Sequence, residues 1–243
     1  DRTMIPLNRC LAFAALAGAL TFPMRAASEM ERVDVQPLLV NARQISDALA
    51  YLGAPLSEDE RARLAAAAQL SSDEEVTREI QAVLDPHCLA LLDVNPEGRV
   101  KVTEGAAPKT LVQQEWRPVL VKVHNEVGST AMLNVDSPEA GTVYDKEYCG
   151  PQQSTTPVFA PAAPVDPAAA TARIRNRWLS LEVYGRPPMS AHLGGARLEY
   201  AIVCLQSRDA GRRAATFSFD LGQGTQDLGF RSELTLAFAV TPA

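Results

Sequence analysis

Apolar and polar residues alternate over three segments in the last third of the chain, 198–205, 215–221 and 234–240. A two-residue period puts one set of side chains on each face of a pleated strand, so these segments read as half-buried β-strands. Polar, glycine-containing stretches separate them and predict hairpins or short loops. The same period recurs upstream. Val119, Val121 and Val123 alternate with Lys122 and His124 over 116–126, and Ala131, Leu133 and Val135 follow a Gly128-Ser129 turn. Leu179, Leu181 and Val183 point inward from 178–184. Residues 89–94 and 99–102 flank Asn95-Pro96-Glu97-Gly98, where Pro at the second and Gly at the fourth position suit a type I turn. About eight strands, each with one apolar and one wetted face, predict a mainly β fold. The expected architecture is an immunoglobulin/fibronectin-like antiparallel β-sandwich preceded by a small α-helical segment.

The period changes in the first third. Leu38, Ala42, Ile45, Leu49 and Leu52 recur at spacings of four and three, which lays one stripe along a helix over 37–52. Gly53 supplies a left-handed stop and Pro55 prevents continuation. Ser57-Glu58-Asp59-Glu60 reads as a capping box opening an Ala-rich second helix, and Ser72-Asp73-Glu74-Glu75 repeats the pattern before a third. Val76, Ile80, Val83 and Leu84 form that helix's stripe, which ends before Pro86. The acidic runs at 58–60 and 73–75 resemble metal ligands only superficially; an acidic first turn complements the helix dipole and accounts for them. So few helical residues make a thin core alone, so the stripes are expected to lean on one another or on the strands.

Two segments fit neither period. Residues 11–22 are an apolar run after a short basic start at 4–9, with small residues at Ala26-Ala27-Ser28, the pattern of a cleaved secretory signal over 1–27. The run is short for a bilayer span, so no stable membrane insertion is expected after cleavage. Over 137–172, Pro151, Pro157, Pro161, Pro164 and Pro167 sit among Ala, Gln, Ser and Thr, a composition that cannot hold a ladder and predicts a long exposed loop. The expected organisation is a signal peptide at 1–27, a helical segment at 33–86 and a sandwich domain at 87–243 carrying the Pro/Ala-rich loop. Secretion or a periplasmic location follows from the signal.

Charge adds an exclusion. The leader carries three Arg and one Asp, so removing its net +2 from the −6 of the whole chain leaves −8. Nucleic-acid binding rests on clustered Lys and Arg that release counterions, and an acidic remainder argues against it. The four Cys, at 10, 88, 149 and 204, match no zinc-ligand spacing. With Cys10 in the leader, Cys88, Cys149 and Cys204 allow at most one disulfide and an odd thiol, the pairing left open.

Candidate chemistry is sparse. His87, His124 and His192 share no metal-binding spacing, and His87 and Cys88 as strand neighbours would point to opposite faces. Cys88 and Cys204 read as buried, inert thiols. Asp220 with Asp227, or Glu182 with Glu199, would be needed as an acid–base pair, but wet-face carboxylates on strands explain them as well. Gly194-Gly195 and Gly222-Gln223-Gly224 lack the strand-to-helix setting of a phosphate loop. Arg208, Arg212 and Arg213 gather with Asp209 at what reads as a hairpin tip, suited to a carboxylate or sulfate or simply solvated. Trp116, Trp178 and Tyr184 would make a stacking platform only if they escaped the core. No catalytic, metal-binding or cofactor-binding residue is assigned, and no cofactor is expected.

The segment 116–126 (Trp-Arg-Pro-Val-Leu-Val-Lys-Val-His-Asn-Glu) and the run 198–234, with its Ser-Arg-Asp-Ala-Gly and Gly-Gln-Gly-Thr-Gln-Asp-Leu-Gly-Phe-Arg connections, resemble the N-terminal, non-catalytic region of secreted bacterial CehA/McbA-type metallohydrolases of the PHP superfamily. The resemblance extends over most of 33–243. It implies an accessory module whose partner is a downstream catalytic domain of the same polypeptide. The His and Asp ligands of that domain would lie beyond residue 243, so no catalytic residue carries over. The ending after a full strand at Thr241-Pro242-Ala243 is compatible with a domain boundary. Two alternatives stay open: a sandwich that binds a glycan or a surface protein, and a hydrolase with an unrecognised site.

Overall fold

The computed structural model describes residues 33–140, 176–221 and 232–243. The leader, most of the Pro/Ala-rich segment, Cys10, Cys149, Asp227 and Gly222-Gln223-Gly224 therefore lie outside the described residues. In chain order the elements are helices α1 (Val35–Tyr51), α2 (Glu58–Ala67) and α3 (Asp73–Leu84), then strands β1 (Cys88–Val94), β2 (Val100–Glu104), β3 (Thr110–Val112), β4 (Trp116–Asn125), β5 (Asn134–Asp136), β6 (Leu179–Val183), β7 (Leu198–Ser207), β8 (Gly211–Asp220) and β9 (Glu233–Thr241). Val33–Ala243 is a single compact unit. Among the described residues no helix is long and apolar enough to cross a membrane.

The helices begin and end for the reasons their sequence announces. Ser57 Oγ accepts from the Glu60 amide at 3.2 Å while Glu60 Oε2 accepts from the Ser57 amide at 2.8 Å, a complete capping box on α2. Ser72 makes the forward half of the same cap on α3, accepting from the Glu75 amide at 3.2 Å. Gly53, just past α1, has φ +77, the left-handed conformation that ends a helix without a Cβ penalty. Leu38, Ala42, Ile45 and Leu49 of α1 are buried, as are Val76, Ile80, Val83 and Leu84 of α3.

The strands form two sheets, one ordered β2-β1-β4-β7-β6 and the other β3-β9-β8-β5. The protein is thus mainly β, two curled sheets with a few helices. The strands are not all antiparallel: β1 runs parallel to β4, and β3 parallel to β9. The physical cause is a crossover. After the β1–β2 hairpin the chain passes into the second sheet as β3 and returns on the other side of β1 as β4, which restores the direction of β1. The three residues of β3, Thr110–Val112, are too few to register as a strand in the sequence.

The larger sheet is covered on both faces. Val119, Val121 and Val123 of β4 and Ala201, Val203 and Leu205 of β7 pack against Phe217, Phe219, Leu236 and Phe238 of the second sheet. Phe238 there meets Trp178 and Phe217 edge to face, with ring centroids 6.1 and 6.0 Å apart. On the opposite face Leu120, Leu198, Tyr200, Ile202 and Cys204 pack against the stripes of α1 and α3. Each fully buried Leu or Ile contributes about 1.5–3 kcal/mol. By contrast β8 and β9 alternate buried and exposed positions, as strands with one wetted face do.

Three expectations are corrected here. The Lys122 face of β4 is roofed by helix rather than wetted: Lys122 Nζ donates to Gln81 Oε1 (2.6 Å) and Asp85 Oδ2 (2.8 Å). The segment after the Gly128-Ser129 turn does not pair with β4; β5 crosses to the second sheet and pairs with β8. The turn between β7 and β8 is no hairpin tip, because β7 pairs with β4 and β6 while β8 pairs with β9 and β5, so residues 208–210 arch from one sheet to the other.

A side chain from α1 completes the larger sheet. β6 pairs with β7 only as far as Val183 opposite Val203, with one more bond from the Tyr184 amide to the Ile202 carbonyl at 2.9 Å. At Tyr200 the missing partner is Asn41, whose Nδ2 donates to the Tyr200 carbonyl (3.0 Å) and whose Oδ1 accepts from the Tyr200 amide (2.8 Å). The primary amide reproduces a strand's donor and acceptor. Replacing Asn41 by Ala strands both backbone groups of a buried residue, and the expected loss is about 1–3 kcal/mol. Urea denaturation checks it: the midpoint falls at unchanged slope, whereas an unchanged midpoint would deny the helix this role.

Candidate functional site

The termination of β6 short of the end of β7 leaves space along β7, bounded on one side by α1 and on the other by the connection from β6. A cleft of about 520 Å³ lies there. Its walls include Pro37 and Val40 from α1, Met189 and His192 from the connection, and Glu199 at the start of β7.

Glu199 is only 6% exposed. Its Oε2 accepts from the Gly194 amide at 2.6 Å, and the Gly195 amide also bonds to the carboxylate. Oε1 meets Asn125 Nδ2 at 3.4 Å, a long contact. Asn125, which is fully buried, donates from Nδ2 to the Ser129 carbonyl and accepts from the Ser129 amide, both at 2.9 Å. The two side chains thereby clip the turn after β4 to the turn before β7. Gly195 is in the left-handed region with φ +78, and a Cβ there would press on Thr130 Cγ2 at 3.1 Å, so the clip requires glycine. Burial pushes the Glu199 carboxyl above its ordinary pKa, opposed by the Gly194, Asn125 and Gly195 donors.

The remaining candidates are dispersed. His87 Nε2 donates to Glu60 Oε1 at 2.7 Å, joining the 3₁₀ turn after α3 to the start of α2. Partial burial works to raise the Glu60 carboxyl, but the hydrogen bonds from His87 and Ser57 outweigh it and lower its pKa to about 2. His124 Nδ1 lies 3.0 Å from Asp93 Oδ1 on the neighbouring strand. His192 Nδ1 is 3.3 Å from the Thr130 carbonyl. The three histidines therefore serve three separate contacts, and among the described residues no group of three His, Cys, Asp or Glu side chains is placed to hold a metal ion.

Glu182 sits opposite Cys204 and bonds to Arg186 at 3.2 Å, whereas Glu199 sits opposite Val123; the two carboxylates do not meet. Asp220 stands opposite Asn134. Arg208 donates to the Arg177 carbonyl (2.9 Å) and Ser180 Oγ (3.3 Å), and Arg213 lies 3.5 Å from Asp209 Oδ2. Trp178 is in the inter-sheet core and Tyr184 in the helix–sheet core, while Trp116 is 49% exposed, so the three form no common platform. Cys88 and Cys204 are buried free thiols. Desolvation pushes Cys88 up to about 12 and Cys204 up to about 11.

Asn41 and Asn125 were missed in the sequence. A signal existed for Asn41: asparagine is a poor residue for a helix interior, and its place beside Ala42 of the apolar stripe points to a bond toward the protein rather than to solvent. Asn125 gave no such cue, because the end of a strand beside a Gly-containing turn is an ordinary position for it.

Two outcomes follow. At mildly alkaline pH, iodoacetamide leaves Cys88 and Cys204 unmodified in the folded protein and alkylates both in urea; peptide mass mapping reads this, and rapid native labelling would contradict the burial. The depressed Glu60 pKa stabilises the fold above the unfolded value of 4.5, and this contribution is lost as pH falls from 4.5 to about 2. Glu60→Gln should therefore flatten the decline in urea midpoint over that window, and a variant with the wild-type pH slope would contradict the assignment. Comparison of the chain with family models, curated proteins and solved structures gives no match.

Proposed function

We propose that the chain is a non-catalytic accessory module, structural or binding, of a secreted bacterial protein, and that it precedes a metal-dependent hydrolase domain in a longer polypeptide. The observation that carries this reading is the use of the polar side chains. His87 with Glu60, Lys122 with Asp85 and Gln81, Tyr200 with Asp85, and Asn41 with the Tyr200 backbone each join one layer or turn to another. Groups committed to such contacts are fasteners, since a general base or nucleophile needs a face turned to substrate. The resemblance of 116–126 and 198–234 to the region preceding CehA/McbA-type catalytic domains supports the same reading. In its finer form the proposal assigns the paired sheets to the immunoglobulin/fibronectin-like class, supported by Trp178 in the inter-sheet core; the two parallel strand pairs are departures from that type.

The second reading, a ligand-binding module, is favoured by the cleft beside Glu199. Metal analysis of the purified chain with an ester and phosphoester panel separates both from an enzyme. The expected result is no stoichiometric zinc or manganese and no hydrolysis above buffer; bound metal with turnover overturns the accessory reading.

A further inference from the structure

Glu199 differs from the ion-paired groups of the sheet and helix ends. Lys122 faces Asp85, His87 faces Glu60, and His124 faces Asp93. The donors to Glu199 are all neutral: the Gly194 and Gly195 amides and the Asn125 side chain. They are also unequally placed. Oε2 has a short bond of 2.6 Å, whereas Oε1 has Asn125 Nδ2 at 3.4 Å. A carboxylate offers about four acceptor sites, more than these three donors fill, and Glu199 lines the cleft. Around it the wall is mostly hydrocarbon. Pro37 and Val40 line one side and Pro188 and Met189 the other, and among the described residues Glu199 is the only Asp, Glu, Lys or Arg on it.

We propose that this cleft binds a small organic ammonium ligand, its charged nitrogen at the Glu199 carboxylate and its hydrocarbon body along Pro37, Val40 and Met189. A volume of about 520 Å³ is that of a small-molecule site, apolar with a few placed polar groups. A buried carboxylate without a cationic partner is costly, and an alkylammonium supplies the missing charge where a neutral alcohol cannot. Met189 suits such a wall because its flexible thioether adapts to an alkyl chain. Burial also raises the Glu199 pKa, and a bound cation would reverse that. The inference goes beyond the accessory reading and does not depend on it.

The test uses the isotopically labelled full chain with hexylammonium chloride, and 1-hexanol as the neutral isostere, followed through the Gly194 and Gly195 amides that bond to Glu199. Saturable shifts at both glycines with hexylammonium, at least roughly tenfold weaker with hexanol and with Glu199→Gln, are expected. Val40 is 56% exposed, so Val40→Trp should fill the cleft without disturbing the fold, and binding should vanish while the thermal midpoint holds. Equal affinity for hexanol, shifts scattered over the surface, or undiminished binding to Val40→Trp overturns the proposal. If Glu199→Gln fails to fold, the hexanol comparison and Val40→Trp decide it. Metal and turnover in the purified chain would remove the accessory reading and leave this result standing.

Discussion

The structure depends on a strand that needs cover on both faces. Nine of the ten residues of β7 are buried, and its side chains alternate between two separate cores. Ala201, Val203 and Leu205 enter the layer between the sheets. Tyr200, Ile202 and Cys204 enter the layer under the helices. Removing either cover would return a row of apolar side chains to water, at about 25 cal/mol per Å². The helical segment is therefore a third layer, and Val33–Ala243 forms one unit.

Cover on both faces creates a polar difficulty, and the named hydrogen bonds answer it. Lys122 projects from β4 under the helices, where Asp85 and Gln81 receive it, and Asp85 also accepts from the Tyr200 hydroxyl at 2.8 Å. Asp85 thus ends α3 and ties it to two strands. Asn41 does the same for α1 by taking the place of a strand at Tyr200. Where β6 stops and the layers part, the cleft opens, and the Glu199 carboxyl on its wall is held by neutral donors.

How much of this was legible depended on whether a signal was local. The capping box of α2, the Ser72 cap of α3, the stop at Gly53 and the stripes of α1 and α3 are written within a few residues, and they were readable. So was the alternation of β8 and β9, whose outer face meets water. In 198–205 Glu199 reads as a wet-face carboxylate, but it is buried and held by Gly194 and Asn125, and Tyr200 on the opposite face is buried and tied to Asp85 and Asn41. A polar side chain with distant partners looks the same in sequence as one facing solvent. The pairing of β5 with β8, the arch at 208–210 and the short β3 are likewise non-local choices of partner. The cleft was invisible for the same reason: its walls come from α1, the β6–β7 connection and β7.

Native-state hydrogen exchange tests the three-layer account most directly. If helices and sheets are a single cooperative unit, the amides of Ile45 and Leu49 in α1 and of Ile202 and Val203 in β7 exchange with one common free energy, equal to that of global unfolding by urea. Exchange of the α1 amides through a separate, much cheaper opening, with β7 still fully protected, would contradict it.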